Sequence, residues 1–331
     1  MLLKQFKRTG PLTIFLIIVI LLLLWASAFV KLKGQFSWYF DLNSMPLYGL
    51  LSDLIGTNPL PGIIVTFLLV SLMAFLMVNL NTILFFIHER TFLPALIYIL
   101  LSGLFPQYQL LNPAIIGAAF LMFAIRSIMD AYRVTGTAYN FFDAGILIST
   151  GSLFYANLIW FGPITIIGIA LLRTWNLKEI LLSFLGLVTP YILTLGIYYV
   201  LGNDISEILR IVEYNLFGKQ ADFVFLPLTV IAVSYTGFII LISISYLFAL
   251  MNSKKIQARK TFYLLIWVGL ISLCIYIILP SVSVEIIWIT AIPAGYVLTH
   301  YFVFTRKKLL PEILFSVLFL VILITQIWYM R

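Results

Sequence analysis

The sequence predicts an all-α fold, a polytopic transmembrane helical bundle of about eleven spans, and three observations carry that prediction. Hydrophobic residues make up 63% of the chain and charged ones 10%, with a mean hydropathy of +1.12; soluble globular domains do not have that composition. Apolar runs recur from end to end, most of them long enough for a helix to cross a hydrocarbon core about 30 Å thick. The two-residue alternation of barrel strands is absent. Helices are then the remaining structure that satisfies its own backbone in lipid.

In chain order the apolar segments lie at residues 11–30, 62–87, 92–105, 113–133, 141–156, 158–172, 179–201, 226–250, 262–279, 284–304 and 310–330. The first follows Lys4, Lys7 and Arg8 and contains Ala26-Ser27-Ala28, an arrangement that imitates a cleavable signal. Its 20 apolar residues have the length of a span, so an uncleaved first helix is expected. The loop 31–61 carries Trp38, Tyr39, Phe40 and Tyr48, a set suited to the headgroup level of a membrane. Within it Ser44, Pro46 and the helically spaced Leu47, Leu50, Leu51 and Leu54 predict a short surface helix.

In the second long loop, 203–225, Asp204 followed by Glu207 resembles a capping box. Ile205, Ile208, Leu209, Val212 and Leu216 then share one face, as in an interfacial amphipathic helix. Neither loop is long enough for a soluble domain. The chain therefore reads as a single integral membrane domain, 1–331, with C-terminal helices over 226–331.

Charge gives the expected orientation. With the N-terminus in the cytoplasm and the C-terminus outside, 15 of the 20 Lys and Arg residues fall on the inner side, and Lys31, Lys33, Arg210, Lys219 and Arg331 are left outside. Every inner loop then holds at least one basic residue, as the positive-inside rule requires. Asp41, Asp53, Asp204, Glu207, Glu213, Asp222 and Glu285 fall on the outer side. In such a chain a net charge of +8 reports orientation, and no nucleic-acid partner is expected.

No phosphate-binding, dinucleotide or zinc-protease motif and no CxxC occurs. His88 and His300 read as structural, and Cys274 lies in an apolar run. Ionisable groups in mid-membrane mark ion and proton pathways, yet here nearly all lie at predicted helix ends. Asp143, three residues after Asn140, reads as a first-turn acid within reach of Arg126 or Arg133.

The segments 141–156 and 158–172 hold about 15 residues each and cover only about 23 Å as helices, short of the bilayer core. If Arg90, Arg126 and Arg173 mark the inner interface, the shortfall lies outside. It would leave a recess lined by Gln107, Tyr108, Gln109, Asn112, Ser149, Ser152, Tyr155 and Asn157 and roofed by the two acidic loops. Close helix packing through Gly151 and its neighbouring serines is the competing reading.

The succession LLNPAIIGAAFLMFAIRSI, NFFDAGILISTGSLFYANLIWFGPITIIGIALLR and LKEILLSFLGLVTPYILTLGIYYVL is similar to a Bacteroidota family of polytopic membrane proteins of unassigned function, over about residues 60–200. The order of elements also resembles the membrane core of GT-C type glycosyltransferases. That resemblance implies a bacterial inner-membrane protein working at the periplasmic face on a polyprenyl-phosphate-linked sugar, with a first-loop acid acting as general base or positioning a divalent metal. Asp41 and Asp53 are the acids in that loop, and no clear metal-ligand set accompanies them. The alternative is a non-catalytic subunit that scaffolds other envelope membrane proteins in a secretion, motility or assembly complex.

Overall fold

The structure is a computed structural model of the chain and describes residues 2–7, 9–30, 43–56, 58–132, 138–173, 176–202, 204–219, 227–307 and 309–330. Among these residues every regular element is helical. Five come first: α1 (Leu2–Phe6), α2 (Pro11–Val30), α3 (Pro46–Ile55), α4 (Pro59–Leu84) and α5 (Leu93–Ser102). The middle of the chain forms α6 (Pro113–Asp130), α7 (Ala138–Ser152), α8 (Pro163–Leu172), α9 (Leu177–Val200) and α10 (Ile205–Phe217). The last four are α11 (Pro227–Leu250), α12 (Ile256–Ile278), α13 (Ile287–Phe304) and α14 (Leu309–Met330).

Several starts follow from local chemistry. Asn58 and Asn112 cap α4 and α6, accepting from Leu60 N (3.1 Å) and Ala114 N (2.8 Å), each with a proline at the first helical position. That proline supplies a helical φ where no N–H partner is needed. Asn176 caps α9 in the same way.

The chain is a membrane protein with transmembrane helices: among the described residues eight are long and apolar enough to cross, namely α2, α4, α6, α9, α11, α12, α13 with the turn before it, and α14. The expected segments 92–105, 141–156 and 158–172 correspond to α5, α7 and the stretch through α8, which fall below that length. All ten residues of α5 are buried, so protein rather than lipid surrounds it. The segment before α8 is not a plain helix. A 3-10 turn, Ala156–Phe161, precedes it, and at about 2 Å rise per residue the turn and α8 together reach about 27 Å.

The bundle is layered by burial. α13 lies at the centre, 89% buried over its span, and packs on α5, α6, α11 and α12. At the periphery α9 is 17% buried and presents Phe184, Leu185, Ile192, Leu193 and Ile197 outward, a surface that only lipid or a partner would cover.

α7 and α9 meet backbone to backbone. A Cβ on Gly145 would sit 2.6 Å from Ser183 O, and one on Gly186 would strike the Phe142 carbonyl. Pro190 lacks the N–H that Gly186 O would otherwise accept four residues back in α9. Ser149 Oγ fills that vacancy, donating to Gly186 O at 3.3 Å. Arg126 pairs with Asp130 (3.8 Å) rather than Asp143, which is exposed; Arg133 lies outside the described residues.

Candidate functional site

α3 and α10 converge over the turn between α7 and α8. Asp204 caps α10 by accepting from Ser206 N (2.9 Å) and Ser206 Oγ (2.6 Å), and these bonds hold its carboxyl below the usual carboxylate range. Ile208 is the most buried residue of α10, and Ile211, Val212 and Leu216 pack against the hydrophobic core. Ile205 and Leu209, expected on the same face, stay exposed. α3 is pinned by its first turn: Leu47 N donates to Leu153 O (3.2 Å), and the buried Tyr48 donates its hydroxyl to Leu111 O (3.5 Å).

Asn215 and Asn157 tie the pieces together. Asn215 Nδ2 donates to Asn43 O (2.7 Å), Asn157 Nδ2 donates to Asn215 O (3.3 Å), and Ser281 Oγ lies 3.2 Å from Asn157 Oδ1 and 2.6 Å from Leu216 O. Between them lies a cleft of about 10 Å³, lined by Met45, Tyr48, Pro113, Phe154, Tyr155, Ala156, Asn157 and Asn215. That is about the room one water needs.

Behind the cleft the polar accounting does not close. Glu285, in the turn that opens α13, is fully buried. Its Oε1 accepts from Ser283 N (3.0 Å) and Tyr155 OH (3.4 Å), while Oε2 has no partner among the described residues. Asn112 Nδ2, beside the cleft-lining Pro113, is likewise unpartnered. So are the indole nitrogens of Trp25 and Trp288, whose rings lie 6.4 Å apart. Buried polar groups are nearly always bonded, so these groups, unpartnered among the described residues, make this end of the bundle the candidate site. Among the described residues no three His, Cys, Asp or Glu side chains gather as a metal cage.

The chain belongs to the family of unknown function DUF6427. The match spans residues 53–330, which takes in every residue lining the cleft except Met45 and Tyr48. Neither a curated protein nor a solved structure matches the chain.

The structure separates the expected site residues into three groups. Tyr155 and Asn157 line the cleft and Asn112 adjoins it. Ser149 and Ser152 face α9, where Ser152 Oγ bonds Tyr191 OH at 2.6 Å. Gln109 points elsewhere: its Nε2 donates to Leu24 O (3.0 Å), and its Oε1 shares the Ser27 hydroxyl with Gln326 Oε1 (2.9 and 2.7 Å). Gln326 Nε2 in turn donates to Gly103 O (2.7 Å), so Gln109, in the turn before α6, links α2 to α14 and to the end of α5. Gln107 is half-buried on the same turn, and the Tyr108 side chain and Asp41 lie outside the described residues.

Asp53 is exposed on α3, five residues from Tyr48, which is about 140° around a helix and away from the cleft. Glu285 and Asn215 enter the candidate site without a sequence motif. The signal available for Glu285 was an outer-side acid abutting an apolar run with no basic residue near it.

Proposed function

We propose that this is an eleven-pass bacterial inner-membrane protein, N-terminus in the cytoplasm and C-terminus in the periplasm, whose α3/α10 end handles the polar head of a lipid-linked sugar, in the manner of a GT-C-like enzyme. α5, α7 and the 3-10 turn with α8 complete their passages because neighbouring helices shield them. Basic groups gather at the opposite end, where Lys7 Nζ donates to Val303 O (3.5 Å) and Lys260 Nζ to Leu172 O (3.4 Å); this supports the orientation.

The observation that carries the site is Glu285: a buried carboxyl with one free oxygen, joined through Tyr155 to a cleft at the end of the bundle. Buried acids in membrane spans are costly and are retained for function. Glu285 is placed to accept a proton or a hydroxyl hydrogen bond from a sugar. Asp41 and Asp53 remain the first-loop acids for the same role.

The experiment is sugar transfer from a polyprenyl-phosphate donor by the full-length protein in liposomes. Glu285→Gln and Asp41→Asn/Asp53→Asn are assayed side by side. Loss in the first alone assigns the acid to Glu285, and loss in the second alone assigns it to the loop. Full activity in both overturns the catalytic reading.

One observation favours the scaffold reading: the cleft of about 10 Å³ admits little more than a water. A stoichiometric protein complex recovered from native membranes, with no co-purifying lipid-linked sugar, would establish that reading instead.

A further inference from the structure

The far end of α13 carries a second set of unsatisfied groups. His300 is fully buried, and among the described residues neither ring nitrogen has a partner. Its ring lies 4.9 Å from Phe304 and 5.3 Å from Phe262. The same two rings hold Lys254, whose Nζ is 4.9 Å from the Phe304 centroid and 5.3 Å from that of Phe262. Tyr246 closes the group by donating its hydroxyl to Phe304 O (2.9 Å).

Aromatic faces meet a cation with charge but not with hydrogen-bond acceptors, and the ammonium has three N–H donors. Among the described residues no carboxylate lies within salt-bridge distance of Lys254, Lys255, Arg259, Arg306 or Lys307. Lys255 adjoins Lys254 in sequence, and Arg306 and Lys307 follow Phe304 directly after α13; all three are exposed. Flanking these cations, Phe248, Ile256, Leu309 and Leu310 present apolar surface outward.

We propose that the junction of the α11–α12 and α13–α14 turns is a phosphate-binding site centred on Lys254, filled by the headgroup of an anionic phospholipid. The phosphate oxygens supply the acceptors that no described residue offers the Lys254 ammonium, Lys255, Arg306 and Lys307 add positive charge around the phosphate, and the acyl chains lie along the exposed apolar residues. The flanking apolar surface is what favours a lipid over a free ion, because inorganic phosphate would leave it uncovered. Binding here is independent of the cleft at the other end.

The test uses the full-length protein in detergent, with lipid retention measured by native mass spectrometry. Phosphatidylglycerol is compared with phosphatidylcholine, and inorganic phosphate is added as a competitor. The wild type is expected to retain phosphatidylglycerol in preference, and Lys254→Met to weaken that retention roughly fivefold, the loss of one basic contact near a membrane surface. Lys178→Met, at the start of α9, is expected to leave it unchanged. Displacement of the lipid by millimolar phosphate supports the shared chemistry and names the free ion as a competing occupant. Equal retention of both lipids, or no difference between Lys254→Met and wild type, overturns the site. Should Lys254→Met not fold, a phosphatidylglycerol bearing a headgroup photocrosslinker is used on the wild type. Labelling within residues 254–262 or 304–307 supports the proposal, and labelling only elsewhere overturns it.

Discussion

Replacing Glu285 with Gln should make the protein more stable while removing its activity. The carboxyl is fully buried; Oε1 serves two donors at 3.0 and 3.4 Å, and Oε2 serves none. Glutamine has nearly the same shape, keeps an oxygen for Ser283 N and Tyr155 OH, and replaces the charge-bearing oxygen with a neutral amide nitrogen. An unsatisfied buried group costs about 1–3 kcal/mol, and more if it is charged. A buried unpaired charge costs more than a buried unpaired neutral group, but the new amide N–H groups have no partners at the Oε2 position either, so part of the cost stays. The expected gain is therefore about 1 kcal/mol, read by thermal unfolding in lipid-free detergent with sugar transfer measured in parallel. A variant less stable than wild type would mean that Oε2 has a structural partner, and the claim of a spare carboxylate would fail.

The remaining predictions concern packing, capping and pH. Gly186→Ala should cost about 1–3 kcal/mol by forcing α7 and α9 apart, whereas Gly196→Ala, with nothing within 4 Å of the new methyl, should stabilise the same helix by about 0.5–1 kcal/mol; thermal unfolding compares the pair. Ser149→Ala strands Gly186 O and should cost about 1–3 kcal/mol, and Pro190→Ala, which restores the missing N–H, should reduce that cost in a double-mutant cycle. The Asp204 carboxyl is held low by Ser206. Its cap should contribute fully above the ordinary aspartate range and be lost as pH falls through the lower folded value, followed by an NMR titration that Ser206→Ala shifts upward. Burial holds the Lys254 ammonium down to about 8. Since the unfolded chain binds more protons between that value and the ordinary lysine range, stability should rise with pH across the interval, while phosphatidylglycerol retention falls as the charge is lost.

How far the sequence could be read depended on how far apart the interacting residues lie. The first and tenth apolar segments, 11–30 and 284–304, coincide with the observed spans to the residue, because hydropathy and proline starts are local signals. The helix α10 and Asp204 at its start were legible too, but the cap partner is Ser206 where the sequence pointed to Glu207, and Ile205 and Leu209 of the expected apolar face are exposed. Gln109 was not legible: its partners Ser27 and Leu24 are 82 and 85 residues away, and no local rule distinguishes a glutamine that lines a cleft from one that joins helices. The serines of α7 were read as recess or packing, and Pro190, 41 residues beyond Ser149 in the chain, explains why Ser149 turns toward α9. The 3-10 turn before α8 lengthens a segment that sequence measured as too short, and turn geometry of that kind has no hydropathy signature.

One signal for the site was present, but it lay in the comparison of spans rather than in any motif. The two least apolar of the eight spans, α6 and the α13 span, are also the most buried, at 72% and 89%, while no other exceeds 44%. Lipid selects apolar side chains, so a span tolerates polar ones only where protein surrounds it. The least apolar spans of a bundle therefore mark its interior, and their polar ends mark where that interior meets the outside. In this chain those ends are Asn112 and Glu285, which flank the same cleft through Pro113 and Tyr155. Asp53, by contrast, sits on a short exposed helix beneath no other element that would need it uncharged or bonded. Ranking spans by hydropathy places the candidate acid at the start of α13, where a search of the loops for paired carboxylates does not look.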